Sequence, residues 1–158
     1  MAEGLLAPYR VLDLTDERGW VCGRILADLG ADVIKVEPPG GDPGRRVGPF
    51  YGDIPHPDRS LYFWAFNLNK RGITLNLETE DGRALFRRLA ALSDFVIESF
   101  DPGHLDGLGL GFGELSRLNP RLILVSISAF GRDGPYAHYR ATDIVGMAMG
   151  GLMAISGD

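Results

Sequence analysis

The sequence predicts an open α/β domain, a mostly parallel sheet with helices covering both of its faces. Three observations carry that expectation. Short segments of strand character alternate along the chain with segments whose apolar residues recur at helical spacing. The strand segments are apolar almost throughout rather than alternating, as strands buried on both sides are. The 158 residues are 45% hydrophobic and 23% charged, an ordinary globular mix and enough chain for one sizeable core.

In chain order, Arg10-Val-Leu-Asp-Leu14 is a short apolar run ending in a polar stop, which suits a buried strand. From Gly19 to Leu29, Trp20, Val21, Ile25, Leu26 and Leu29 recur at helical spacing, and Gly30 closes that helix. Asp32-Val-Ile-Lys-Val-Glu37 is a second strand, stopped by Pro38 and Pro39, which lack the N–H a ladder needs. Residues 38–60, rich in Gly and Pro, read as one long surface loop, and the aromatics running on to Phe66 predict that it is packed and ordered. Gly72-Ile-Thr-Leu-Asn-Leu77 is a third strand. Thr79 caps the next helix, whose apolar face is Leu85, Phe86, Leu89 and Leu92. Asp94 to Ser99 is a fourth strand, Phe112 to Leu118 a short helix, and Arg121 to Ser128 a fifth strand. A glycine-rich loop at 131–135 and a Met-rich helix from Asp143 follow. The whole reads as a single Rossmann-like domain spanning 1–158.

Sixteen Lys and Arg against 21 Asp and Glu give a net charge of −5, which argues against a nucleic-acid partner held by phosphate neutralisation. The single cysteine, Cys22, excludes an internal disulfide and reads as a small buried thiol in a helix. No segment has the ~20 consecutive apolar residues of a membrane span. Residues 1–9 lack the pattern of a signal peptide, so a cytoplasmic location is expected.

In open α/β sheets ligands sit outside the carboxyl ends of the strands. The first such end continues Thr-Asp-Glu-Arg-Gly-Trp, not the Gly-x-Gly-x-x-Gly of a dinucleotide site. The spaced glycines at 108–113 do not join a strand to a long helix and read as a turn. There is no Walker loop and no Gly-x-Ser-x-Gly elbow. His56, His104 and His138 fall on three separate loops, so no metal site is expected.

More particular segments remain. They are Asp28-Leu-Gly-Ala-Asp-Val-Ile-Lys-Val-Glu-Pro-Pro-Gly-Gly-Asp42, Asn67-Leu-Asn-Lys-Arg71, Glu98-Ser-Phe-Asp-Pro-Gly103, Leu118-Asn-Pro-Arg-Leu-Ile123, Ser126 to Tyr136, and Thr142-Asp-Ile-Val145 with Gly150-Gly-Leu-Met153. In this order they resemble the family III CoA-transferases, the group of formyl-CoA transferase, carnitine CoA-transferase and α-methylacyl-CoA racemase. The resemblance runs from about Arg10 to the last residue.

The resemblance implies an enzyme that moves coenzyme A from an acyl-CoA to a small carboxylic acid, with no cofactor beyond CoA as substrate and no metal. A protein carboxylate attacks the thioester to give a mixed anhydride, which the freed thiolate attacks in turn. By position, Glu17 and Arg18 fall near the thioester, Leu75, Leu77 and Glu78 around the adenosine, and Ser99 and Phe100 along the pantetheine and phosphates. Arg140 matches a basic position that meets CoA phosphates, the alternative being a solvated loop cation. Asp143 matches an acidic position beside the reacting centre, a role compatible with opening a helix. The racemase branch carries a histidine just before it, whereas here that neighbour is Thr142, which cannot take an α-proton near neutral pH.

Two arginines frequent in relatives are replaced, by Pro38 and by Gly107. Phosphate contacts would then come from Arg18, Arg45, Arg46, Lys70, Arg71 or Arg140, although the Asn67–Arg71 segment reads equally as structural. The family's nucleophilic aspartate falls beyond this chain, and Asp158 matches a loop aspartate. The expectation is therefore the N-terminal part of a longer homodimeric enzyme with interlinked subunits, inactive by itself. Two other readings stay open: a non-catalytic CoA-binding or interaction module, and an acyl-CoA racemase.

Overall fold

The computed structural model describes residues 4–156. Its strands are β1 Arg10–Leu14, β2 Asp32–Glu37, β3 Arg71–Thr74, β4 Phe95–Glu98 and β5 Ile123–Ser126. They form one parallel sheet in the order β3-β2-β1-β4-β5. The helices are α1 Trp20–Asp28, α2 Leu61–Asn67, α3 Glu80–Ala90, α4 His104–Gly107, α5 Phe112–Leu118, α6 Asp143–Met149 and α7 Leu152–Ser156. The chain starts mid-sheet, works outward to β3, then returns to lay β4 on the other side of β1. Connections therefore leave β1 and β4 in opposite directions, and a crevice opens between their carboxyl ends.

Successive side chains of each strand point to opposite faces. Leu12, Leu14, Ile34, Val36 and Val96 pack on one face against Phe86 and Ala90 of α3, Leu105 of α4 and Leu115 of α5. Val11, Val33 and Ile97 pack on the other against Ala27 of α1. Helices do cover both faces.

Local chemistry explains the helix ends. Gly30 takes φ +100, which lets its N–H reach the Ala27 carbonyl at 2.9 Å while the Ala31 N–H reaches that of Leu26 at 3.0 Å. The Thr79 hydroxyl accepts from the Gly82 N–H at 3.1 Å at the start of α3, with Glu80 and Asp81 in the first turn and Arg87 and Arg88 in the last.

Four expectations need correction. The aromatic run is not loop throughout: Leu61–Asn67 is a helix, capped by the Ser60 hydroxyl, which accepts from the Phe63 N–H at 3.0 Å. The third strand ends at Thr74, so Leu75 and Leu77 lie beyond it, and His104 opens a short helix instead of sitting in a loop. The strands are also not apolar throughout. Asp13, Lys35 and Glu37 are buried within them, the edge strand β3 exposes every residue but Ile73, and the edge strand β5 exposes alternate residues. Among the described residues, no helix is long and apolar enough to cross a membrane.

Candidate functional site

β1 ends at Leu14, opposite Glu98 of β4, so Thr15–Arg18 and Ser99–Phe100 emerge side by side at the crevice. A polar seam joins them. The Asp16 N–H donates to the Ser99 hydroxyl at 2.8 Å, and that hydroxyl donates to Asp16 Oδ1 at 2.8 Å. Arg18 donates from Nε and Nη2 to the Asp16 carboxylate at 3.0 and 2.8 Å, and from Nη2 to the Ser99 carbonyl. Burial alone would raise the Asp16 carboxyl, but the bonds from Arg18 and Ser99 outweigh it and hold it below the usual carboxylate range. The Arg18 side chain stays 47% exposed, and its Nη1 donates to nothing among the described residues. Next in sequence, the Phe100 ring lies against the core and stacks on His104 with centroids 4.6 Å apart, while its N–H donates to buried Glu98 at 2.7 Å.

Below this seam, on the α1 face, the charged strand residues are all paired. Lys70 reaches Asp13 at 2.8 Å, Lys35 reaches Asp42 at 3.2 Å, and Arg45 clasps Glu37 with Nε and Nη2 at 2.6 and 2.7 Å. Three carboxylates meet three cations, so the layer is neutral in sum. Burial pushes the Lys70 amine down while Asp13 opposes it. Among the described residues, no cluster of three or more His, Cys, Asp or Glu could hold a metal.

Residues 6–158 match the model of CoA-transferase family III. The chain belongs to this family. It is 46% identical over 149 residues to succinyl-CoA:(R)-benzylsuccinate CoA-transferase subunit BbsE of Thauera aromatica, covering 94% of this chain and 36% of that protein. It is 46% identical over 157 residues to acetyl-CoA:oxalate CoA-transferase of Acetobacter aceti, covering 98% and 38%. A crystal structure of a CAIB/BAIF family protein from Brucella suis superposes with a TM-score of 0.89 at 42% identity, over 99% of this chain and 42% of that one. The chain thus spans well under half the length of the relatives it matches.

Of the positions carried over from family III, the fold gathers Glu17, Arg18, Ser99 and Phe100 at the switch point. Glu17 is exposed there and faces the Tyr62 phenol of α2, whose ionisation burial and this carboxylate both push up. Leu75 and Leu77 are half-buried against the core beyond β3, and Glu78 is exposed in the turn before α3. Arg140 and Asp143 lie past β5, both exposed, with Asp143 in the first turn of α6 and neither in an ion pair among the described residues. Asp158 lies outside the described residues.

The structure removes Lys70 as a phosphate ligand. Its amine is buried and donates to Asp13, to the Trp20 carbonyl at 2.9 Å and to Asn67 at 2.8 Å. Sequence reasoning missed Asp16 as the hub of the seam and Asp13 beneath it. The available signal was a charged residue in the middle of an apolar strand, at 13 and again at 35. Cys22 packs beside the α1 core, and burial followed by the Asp13 charge raises its thiol, so it is held protonated.

Proposed function

We propose that this chain is the coenzyme-A-binding domain of an acyl-CoA:carboxylate CoA-transferase, with CoA lying across the carboxyl ends of β1 and β4. The observation that carries the reading is the Arg18–Asp16–Ser99 seam at the switch point of a family III domain. The exposed Arg18 guanidinium, whose Nη1 has no partner among the described residues, suits a phosphate oxygen, which Arg binds through a fork of N–H donors. Two relatives that are 46% identical to this chain over the aligned 149 and 157 residues are named succinyl-CoA:(R)-benzylsuccinate and acetyl-CoA:oxalate CoA-transferases. In the proposed reaction a protein aspartate displaces CoA thiolate from the acyl carbon. The thiolate attacks the aspartyl carbonyl of the resulting anhydride, forming an aspartyl-CoA thioester and releasing the donor acid. The acceptor carboxylate runs the same two steps in reverse, to leave as its CoA thioester and free the aspartate. That aspartate is assigned outside these 158 residues, with Asp143 beside the reacting centre. Thr142 in place of a proton-transfer histidine favours transfer over racemisation.

Calorimetric titration of CoA into the native-length protein tests the site. Arg18→Met is expected to weaken binding about tenfold, the cost of one charge-assisted contact. Parental affinity in that variant sinks the assignment, and α-deuterium uptake by a bound acyl-CoA without CoA exchange would replace transfer by racemisation. The native-length protein is also proposed to be a homodimer. Sedimentation as a monomer across the micromolar range would remove that part.

A further inference from the structure

We infer that Asp13, backed by Lys70 and Lys35, is the positioning residue for the turn that presents Asp16 and Arg18 to the crevice, an inference that rests on the CoA-binding reading of that crevice. Asp13 has no exposed surface and sits on the β1 face where Val11, two residues earlier, packs in the apolar core. An apolar side chain would fill that place, since buried ion pairs are commonly replaced by apolar residues without loss of stability. What an apolar residue cannot do is hold Thr15. Asp13 Oδ1 accepts from the Thr15 N–H at 2.9 Å and from its hydroxyl at 2.6 Å. The remaining polar group of Thr15, its carbonyl, accepts from Lys35 of β2. All three are fixed from below by two buried side chains, and the next N–H, that of Asp16, enters the seam with Ser99.

The other Asp13 oxygen accepts from Lys70 at 2.8 Å, and Lys70 reaches the Trp20 carbonyl and Asn67, tying the same carboxylate to α1 and α2. Two glycines let α1 come close enough. A Cβ on Gly23 would stand 2.3 Å from Asp13 Oδ2, and one on Gly19 would stand 2.5 Å from Thr15 Cγ2. The chain therefore gives up side chains at two positions so that α1 can close over this carboxylate and over the turn it holds.

Two double variants separate positioning from mere stability. Asp13→Asn with Lys70→Gln keeps an acceptor for Thr15 and removes the charges. Asp13→Leu with Lys70→Met keeps the volume and removes the acceptor. In the native-length protein, CoA affinity is expected within threefold of the parent for the first pair and at least tenfold weaker for the second, with melting temperatures within a few degrees. Without ligand, amide exchange at residues 15–18 should speed up at least tenfold in the second pair alone. Thr15→Val, which deletes just the hydroxyl bond, provides the same readout at smaller scale should the second pair not fold. Exchange there at the parental rate overturns the inference, and so does faster exchange with unchanged CoA affinity. If the parent binds no CoA, the reading of the crevice falls, while unchanged exchange in the second pair would separately refute the positioning role.

Discussion

Arg45 grips Glu37 at 2.6 Å, Lys70 holds Asp13 at 2.8 Å and Arg71 meets Asp32 at 2.7 Å, so three of the candidate cations are neutralised within the fold. Arg46 donates to the Gly40 carbonyl at 2.9 Å. Of the candidates for CoA phosphates, Arg18 keeps a free Nη1 and Arg140 is exposed without a carboxylate partner among the described residues. Changing Arg140 to Glu should weaken CoA binding by about 1–3 kcal/mol, since it deletes a charge-assisted contact and adds repulsion. Calorimetry with CoA and dephospho-CoA reads the detail. A loss that shrinks with dephospho-CoA places Arg140 at the 3′-phosphate, and one that persists places it at the pyrophosphate. Equal affinity in both proteins removes Arg140 from the site. Sequence alone could nominate these arginines by type and place. It could not show which were already paired, because each partner lies in another element: Asp13 and Lys70 are 57 residues apart.

At the scale of elements, the strands and most helices were legible because their patterns are local. β1, β2 and α5 fall on the expected residues. α2 was not legible. Its run is apolar nearly all round, so no one stripe stands out, and its register is set by contacts distant in sequence, with Tyr62, Phe63 and Phe66 gathered around Trp20 at centroid distances of 5.4, 5.7 and 6.3 Å. Trp20 is in turn seated by Gly44, where a Cβ would stand 2.0 Å from the indole. The glycines give a paired test of tertiary packing against propensity. Gly23 and Gly113 both lie within helices, where Ala is favoured over Gly by up to about 1 kcal/mol. At Gly113 a Cβ meets nothing within 4 Å, so Gly113→Ala should raise stability by about 0.5–1 kcal/mol. At Gly23 the same methyl runs into the Asp13–Lys70 pair, so Gly23→Ala should lower stability by about 1–3 kcal/mol despite the propensity gain. Urea melts of the two variants check the signs, and a stabilised Gly23→Ala protein would mean that α1 does not rest on the pair.

Across the whole molecule, ion pairing within the fold also ties stability to pH. Burial by itself raises the Asp32 and Glu37 carboxyls, but Arg10 and Arg71 outweigh it at Asp32, and Arg45 with the Asp42 N–H outweighs it at Glu37. Both carboxyls are therefore held below their ordinary values of 3.8 and 4.5. As pH falls past those ordinary values, the unfolded chain takes up protons that the folded one still refuses. The stabilisation is therefore complete above the unfolded values and is lost as pH drops through the folded ones. Arg45→Met isolates one share of it. With a side chain only 6% exposed, Glu37 would lose its main partner, and the variant should be less stable at pH 7 by about 3 kcal/mol, the low end of the cost of orphaning a buried charge. The Arg45 guanidinium also lies 4.1 Å from the centroid of the Phe63 ring, so part of the loss is packing and does not titrate. The titrating part must shrink as Glu37 becomes protonated in both proteins. Thermal melts of parent and variant from pH 7 to pH 3 should therefore converge toward acid, leaving a small constant offset. Curves that stay parallel over that whole range would assign the loss to packing alone and would deny that the Glu37–Arg45 pair carries charge-dependent stability.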